Sequence, residues 1–170
     1  MQAHLAGDPR WEARRLALGR EIGTATIHVS RNAYSSSLLP ILPAHLAAEP
    51  EAEYVSHESV PVSTVDALLN DVAGSSQRVF LKLDTQGFER AVLEGSKVSM
   101  EKICGLQMEL SLQPLYVGET LFSDMLRLLE ESGYRLHLLH PGIHDPATGR
   151  TLQVDATFFA HMISTHSIDS

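Results

Sequence analysis

Residues 78–95 read RVFLKLDTQGFERAVLEG, and the rest of the fold is built around them. Residues 78–83 contain four apolar β-formers interrupted only by Lys82. This pattern is typical of a strand buried on both faces of a parallel sheet. A polar turn at residues 84–87 breaks the run, and a segment of helical period follows and ends at Gly95. The stretch therefore predicts a strand, a turn and a helix.

The turn at residues 84–87 is the first candidate for a ligand site. In an open α/β sheet, ligands bind beyond the carboxyl ends of the strands, where this turn lies. It places an acid, Asp84, and an amide, Gln86, at that edge. The pattern therefore predicts an acidic turn that faces a ligand.

Before this unit, the sequence predicts a β-hairpin and two loops. Residues 15–18 and 24–30 read as two short strands around a turn. The hydroxyl-rich residues 32–37 read as a loop. Residues 38–50 contain three prolines and keep no period, so we expect a surface excursion there.

A strand and a helix connect these loops to the central unit. Three valines predict a strand over residues 54–62, which Pro61 confines to a sheet edge or a strand end. Ser63 is the expected N-cap of a helix whose apolar residues follow at helical spacing, and Gly74 ends that helix.

After the central unit come a strand, a helix and two more strands. The strands are predicted at residues 103–112, 134–140 and 156–162, and the helix at residues 120–132. The turn-rich residues 141–150 are typical of a loop that joins antiparallel neighbours. The whole order predicts an α/β fold with a mostly parallel sheet and an antiparallel last strand.

Composition and charge exclude several classes of protein. The chain has 170 residues, of which 44% are hydrophobic, so we expect one domain spanning residues 1–170. Its formal net charge of −8, without a basic stripe, argues against a nucleic-acid partner. No window approaches the ~18 apolar residues of a membrane span, so no membrane partner is expected. The single cysteine, Cys104, excludes an internal disulfide and suits a cytoplasmic protein.

Residues 81–95 resemble the signature of the FkbM family of S-adenosylmethionine-dependent methyltransferases. The positions that fall on this signature are Lys82, Asp84, Gln86, Gly87, Glu89, Leu93 and Gly95. Position 86 carries Gln where Glu is common in the family. Three further segments are also similar to the family: residues 11–30, the serine-rich SSSLL at residues 35–39, and GRTLQVDATFF at residues 149–159.

The resemblance implies a Rossmann-like methyltransferase sheet of strand order 3-2-1-4-5-7-6 and S-adenosyl-L-methionine as cofactor. Similar enzymes hold this cofactor through an N-terminal strand and a glycine-rich turn of the type D-x-G-A-N-x-G. The early glycines of this sequence, Gly7, Gly19 and Gly23, do not form such a turn. We therefore expect an N-terminally incomplete domain that lacks the cofactor-loop strands and binds the cofactor below normal affinity.

On this resemblance, three acids are candidate catalytic residues: Asp84, Glu89 and Glu109. Methyl transfer to oxygen needs an aligned acceptor and a base for the hydroxyl proton. Asp84 is expected to act as that base or to orient the acceptor, or else to cap the helix that follows. Glu89 lies in the first turn of that helix, where the helix dipole favours a carboxylate in any case. Glu109 needs a partner, which either Lys82 or the acceptor supplies.

The remaining candidates surround these acids. Asp84, Gln86 and Gly87 are expected to contact the cofactor, although Gln86 also suits a purely structural role in the turn. The acceptor site is expected at Ser35, Ser36 and Ser37, for which a solvated loop is the alternative. We expect no metal site. His137 and His140 face opposite sides of a strand, and Asp84 with Glu89 or Glu109 does not by itself demand Mg²⁺.

Two functions and one assembly follow from these patterns. The first function is methyl transfer to a hydroxyl group of a small molecule or sugar. The alternative is a non-catalytic binding or assembly module. If the strands that normally flank residues 78–83 are missing, that strand becomes an apolar edge, which invites pairing. We expect the 15–30 hairpin to fill this edge within the chain, or a second copy to form a homodimer there.

Overall fold

The computed structural model describes residues 12–72 and 78–161. Within these ranges it forms a mixed α/β fold with four helices and two sheets. The helices are α1 (Pro43–Ala48), α2 (Val65–Val72), α3 (Glu89–Glu94) and α4 (Phe122–Glu131). The strands are β1 (Ala17–Leu18), β2 (Gly23–Ser30), β3 (Tyr54–Ser63), β4 (Val79–Leu83), β5 (Ile103–Ser111), β6 (Tyr134–Pro141) and β7 (Gln153–Ala160).

The larger sheet has the strand order β4-β5-β7-β6. β4 and β5 run parallel, and β7 runs antiparallel to both of its neighbours, so three strands share one direction. The predicted antiparallel last strand is therefore present. This order agrees with the second half of the sheet that the resemblance implies, and the fold is consistent with a methyltransferase-like architecture.

The main core lies on one face of this sheet. Apolar residues alternate along β5 and β7, and their inner set packs against α2, α3 and α4 because each helix turns an apolar stripe toward the sheet. The buried members of this core include Leu83, Leu106, Met108, Val92, Met125, Leu129 and Phe158.

The prediction that β4 is buried on both faces is wrong. Leu83 is buried in the main core, whereas Phe80 on the opposite face is 49% exposed and Lys82 is also exposed. Among the described residues no helix covers this second face. The β-formers of β4 reflect its strand conformation, and only one side of it is enclosed.

The smaller sheet has the order β1-β3-β2, so the predicted hairpin of residues 15–30 is wrong. β2 pairs antiparallel with β3 along its length, while β1 pairs parallel with the end of β3. The two strands therefore lie on opposite sides of β3. Leu18 at the end of β1 packs against the main core. Neither strand fills the open edge of β4, so the pairing within the chain that the sequence suggested does not form.

Three other predictions change at the level of single elements. β3 is a middle strand, but β1 covers only its last two residues, so Pro61 still lies where β3 has one neighbour. The hydroxyl that caps α2 belongs to Thr64 rather than Ser63, and it accepts the Ala67 N–H at 3.1 Å. Gly74, the predicted end of this helix, lies outside the described residues.

Residues 38–50 are not the surface excursion that their prolines suggested. They form α1, and His45 on this helix is completely buried. Leu39 and Ile41 pack into a second, small core formed by Leu115, Tyr116 and Leu152. The helix α1 has only six residues, which is too few to show a helical period in the sequence. The burial of the segment depends on residues that are distant along the chain.

None of the helices in the described ranges combines the length and apolarity needed to cross a membrane.

Candidate active site

The turn between β4 and α3 has a left-handed backbone. Gln86 adopts a φ of 51° and Gly87 a φ of 91°. This conformation costs a residue other than glycine about 1 to 2 kcal/mol, so other contacts must hold Gln86 in it. The Ser37 hydroxyl donates a hydrogen bond of 2.7 Å to the Gln86 carbonyl oxygen, and both residues are buried. The serine-rich loop thus supports the turn directly.

The Gln86 side chain joins two of the predicted catalytic acids. Its amide nitrogen donates to a carboxylate oxygen of Asp84 at 2.9 Å and to one of Glu109 at 2.7 Å. The partner of Glu109 within the protein is therefore this amide rather than Lys82, whose ammonium lies 3.9 Å from Asp84. The side chain of Asp84 receives this bond instead of capping α3, which has no side-chain cap.

Glu89 lies beneath the turn and is 2% exposed. One of its carboxylate oxygens accepts hydrogen bonds from the Thr85 N–H and hydroxyl, both at 3.0 Å, and from the Gly87 N–H at 3.2 Å. Burial raises the pKa of Glu89 to about 7, against the opposing effect of these donors. Its geometry is that of a residue that shapes the turn, and its catalytic role stays a prediction.

Glu109 is a partly buried acid near Asp84. Burial, together with the negative charge of nearby Asp84, raises the pKa of Glu109 to about 7, while the hydrogen bond from Gln86 opposes this rise. Asp84 itself is half exposed. The pair therefore combines the more accessible carboxylate of Asp84 with the more buried carboxylate of Glu109, whose pKa lies near neutral pH.

Two cavities meet at Asp84. The larger, of about 510 Å³, is lined by residues 14–18, 36–38 and 82–85, with Ile27, Val60 and Phe88. The smaller, of about 410 Å³, is lined by Tyr34, Ser35, Glu49, Asp84, Gln86, Glu109 and Ile143. Asp84 lines both cavities, so its carboxylate lies between them.

The structure brings most of the predicted site residues together. Asp84, Gln86 and Glu109 form one cluster, Ser35 lines the smaller cavity, and Ser36 and Ser37 line the larger one. Gly87 is part of the turn but is not among the residues that line either cavity. The serine loop, predicted as an acceptor site or as a solvated loop, lines both cavities.

Sequence reasoning missed Tyr116, whose hydroxyl donates to the Gln86 side-chain oxygen at 2.6 Å. It also missed Glu49, which lies far away along the chain and reaches the smaller cavity from the residue after α1. A signal for Tyr116 was present, because a tyrosine in the loop directly after β5 must lie at the edge where β4 also ends.

The other reactive side chains do not form a site. Within residues 12–72 and 78–161, no group of three or more His, Cys, Asp or Glu is arranged to hold a metal ion. His137 contacts the ring of Phe159, with ring centres 5.0 Å apart, and the thiol of Cys104 contacts the Val79 carbonyl oxygen at 3.2 Å.

Comparison with protein families decides where the chain belongs. The model of the Methyltransferase FkbM domain matches residues 5–136, which is most of the 170-residue chain. The chain belongs to the FkbM methyltransferase family. The resemblance seen at residues 81–95 is thereby confirmed, and the turn, the serine loop and Tyr116 all lie inside the FkbM match. Neither the curated proteins nor the solved structures gave a match.

Proposed function

We propose that this FkbM-family chain transfers a methyl group from S-adenosylmethionine to a hydroxyl group of a small molecule or sugar. The observation that supports this function most directly is the meeting of two cavities at Asp84. A two-substrate transfer needs its donor and acceptor side by side with their reacting atoms aligned. In this proposal the larger cavity holds the cofactor and the smaller one holds the acceptor.

The residues of the larger cavity fit the cofactor in size and in kind. Its volume lies in the range of roughly 300 to 1,000 Å³ that is typical of ligand pockets. Its apolar wall, which includes Leu38 and Val60, suits the adenine ring, and the guanidinium groups of Arg14 and Arg15 suit a carboxylate. Asp84 suits the cofactor's ammonium group. In this proposal these side chains contribute to holding the cofactor.

The smaller cavity supplies the groups that act on the acceptor. When bound, the cofactor supplies an electrophilic methyl group on a sulfonium sulfur. Asp84 orients the acceptor hydroxyl at the junction of the cavities. Glu109 takes the proton of the acceptor hydroxyl as the oxygen–carbon bond forms and the sulfur–carbon bond breaks. A base whose pKa lies near the working pH is effective in this role, and the pKa of Glu109 is about 7.

Calorimetric titration of the whole chain with S-adenosylmethionine tests the cofactor half of the proposal. We expect binding in the micromolar range, which is about 8 kcal/mol at 1 μM. The variant Ala17→Trp places an indole in the larger cavity and should weaken binding at least tenfold. Ala47→Trp, on the exposed side of α1, is the matched control and should bind as the wild type does. Absence of binding by the wild type would remove the proposed function.

The acceptor half is tested by transfer of an isotopically labelled methyl group to a panel of sugars and small alcohols. The expected product is a methyl ether. Products methylated only at nitrogen or carbon would contradict a hydroxyl acceptor.

A second candidate function is a non-catalytic binding or assembly module. It is favoured by the edge of β4, which no other strand of the described residues covers. The same titration separates the two functions, because a module that only assembles should release no heat with S-adenosylmethionine.

A further inference from the structure

Tyr116 touches neither the Asp84 nor the Glu109 carboxylate, yet it contacts the side chain that joins them. It is completely buried, and its hydroxyl donates to the Gln86 side-chain oxygen at 2.6 Å. An amide oxygen carries no hydrogen, so the tyrosine must be the donor. Burial raises the pKa of Tyr116 well above its ordinary value, so the hydroxyl keeps its proton at working pH.

The backbone around Tyr116 is built to place this hydroxyl. A carboxylate oxygen of Glu119 accepts the N–H groups of Leu115 and Tyr116, the latter at 2.9 Å. The tyrosine ring lies against Gly87, where a Cβ atom would come within 3.1 Å of the ring. Two features therefore favour glycine at position 87. Its backbone is left-handed, and the ring of Tyr116 leaves little room for a Cβ atom.

We propose that Tyr116 is a positioning residue, which fixes the Gln86 amide so that both amide hydrogens face the Asp84 and Glu109 carboxylates. With the amide reversed, its oxygen would lie 2.7 to 2.9 Å from two carboxylate oxygens, and the tyrosine hydroxyl would face a donor. The two carboxylates oppose the reversed amide, and the hydroxyl donates to the amide oxygen only in the observed orientation, so it adds to the same preference. The catalytic use of this arrangement rests on the proposed function.

The consequence of the amide orientation is the proton affinity of Glu109. The negative charges that raise the pKa of Glu109 belong to Asp84 after β4, Asp155 on β7 and Glu89 on α3, and Glu49 lines the same cavity. The Gln86 amide opposes them, because a hydrogen bond donated to a carboxylate favours its charged form. Releasing the amide should raise the pKa of Glu109 further above 7.

The test is a carbon-13 NMR titration of the Glu109 side-chain carboxyl in the whole chain, which needs neither cofactor nor acceptor. Tyr116→Phe removes only the hydroxyl, and we expect the pKa of Glu109 to rise by about 0.5 to 1 unit. Tyr134→Phe is the matched control. Its hydroxyl is also buried and donates to the Ile103 carbonyl oxygen at 2.7 Å, so its loss should leave the Glu109 titration unchanged.

A double-variant cycle keeps the proposal falsifiable if Tyr116→Phe weakens folding. Gln86→Met removes the amide, should raise the pKa of Glu109 by itself, and should abolish the further effect of Tyr116→Phe. An equal rise on adding Tyr116→Phe to Gln86→Met would overturn the proposal, because Tyr116 would then act by another route. If the titration behaves as expected but S-adenosylmethionine does not bind, the methyl-transfer function fails and the positioning role stands.

Discussion

At the residue scale, the Asp84 and Glu109 carboxylates have different surroundings and should have separable roles. Asp84 lines both cavities and is half exposed, whereas Glu109 is more buried and has a pKa of about 7. The negative charge of Asp84 contributes to that raised pKa. Replacing Asp84 and replacing Glu109 should therefore have different effects on the pH dependence of turnover.

Glu109→Gln should lower kcat by a factor on the order of 10² to 10⁴ and remove the ionisation near pH 7, because the base is lost. Asp84→Asn should lower kcat by a factor of about 10² through misalignment of the acceptor. It should also move the remaining ionisation to lower pH, since a negative charge beside Glu109 disappears. The measurement is kcat against pH with the acceptor found by the methyl-transfer panel. An unchanged ionisation in Glu109→Gln would contradict the assignment.

The buried Glu89 predicts a pH dependence of stability. Its pKa is about 7 in the folded protein and about 4.3 in an unfolded chain, so the folded state holds a proton that the unfolded state releases. The free energy of unfolding should therefore fall as the pH rises from about 4.5 to 7 and level off above this window. Glu89 contributes up to about 3 kcal/mol to this fall, and Glu109 adds to it in the same direction.

Glu89→Gln keeps an oxygen that can accept the Thr85 and Gly87 donors but does not titrate. Urea unfolding between pH 5 and pH 8 should show a clearly smaller fall in stability for this variant than for the wild type. Glu101→Gln, at an exposed position, is the control and should keep the wild-type pH dependence. The interpretation of Glu89 is wrong if both variants follow the wild-type curve.

At the element scale, the end of α3 is the joint between the two sheets. Gly95 follows this helix and faces Gly19, which follows β1, and a Cβ atom at Gly95 would overlap the Gly19 carbonyl oxygen. The guanidinium group of Arg20 also pairs with the Glu94 carboxylate across this joint. The φ of Gly95 is −89°, so the close approach of two backbones, and not a left-handed turn, is what requires glycine here.

Gly95→Ala should therefore destabilise the protein by about 2 kcal/mol or more, since one backbone segment must move away from the other. Gly23→Ala is the matched control. A Cβ atom there has no neighbour within 4 Å, and we expect a change within about 0.5 kcal/mol. The measurement is urea unfolding at one pH. Equal stabilities of the two variants would show that the sheets do not meet as closely as this joint requires.

At the scale of the whole molecule, the open edge of β4 remains to be covered. In the part of the chain that the structure describes, β4 pairs with β5 alone, and its outward face carries the exposed Phe80. An antiparallel pairing of two copies centred on Leu81 would place Arg78 opposite Asp84 and Phe80 opposite Lys82. Opposite charges and a cation beside an aromatic ring both favour cross-strand pairing. We therefore expect a homodimer through β4.

Light scattering coupled to size exclusion should give about twice the chain mass of 18.7 kDa at micromolar concentration. Phe80→Lys would place like charges opposite each other in the dimer and should yield the monomer. Leu138→Lys changes another exposed apolar position, on the other edge strand, β6, and this variant should remain dimeric. Because Asp84 also lines the cavity proposed for the cofactor, S-adenosylmethionine should shift the mass toward the monomer. A monomeric wild type would exclude this assembly.

The sequence by itself determined the local structure around residues 78–95 and indicated the family. The strands, turn and helices around residues 78–95 follow from apolar period, polar breaks and terminal glycines, which act between residues close in the chain. The antiparallel last strand followed from element order. The linked positions of residues 81–95 indicated the FkbM family and placed Asp84 and Gln86 at the edge of the sheet. The strand predicted at residues 103–112 carries Glu109 to the same edge if the two strands are parallel.

Only the tertiary structure decided which elements pair and which residues complete the site. The pairing of β1 and β2 with β3, the single enclosed face of β4 and the burial of α1 depend on partners distant in sequence. So do the contacts of Tyr116 with Gln86 and of Gly95 with Gly19. Periodicity predicts whether a side chain is buried or exposed, but it does not predict which distant residue the side chain contacts. That residue is selected by packing and hydrogen-bond satisfaction across the whole fold.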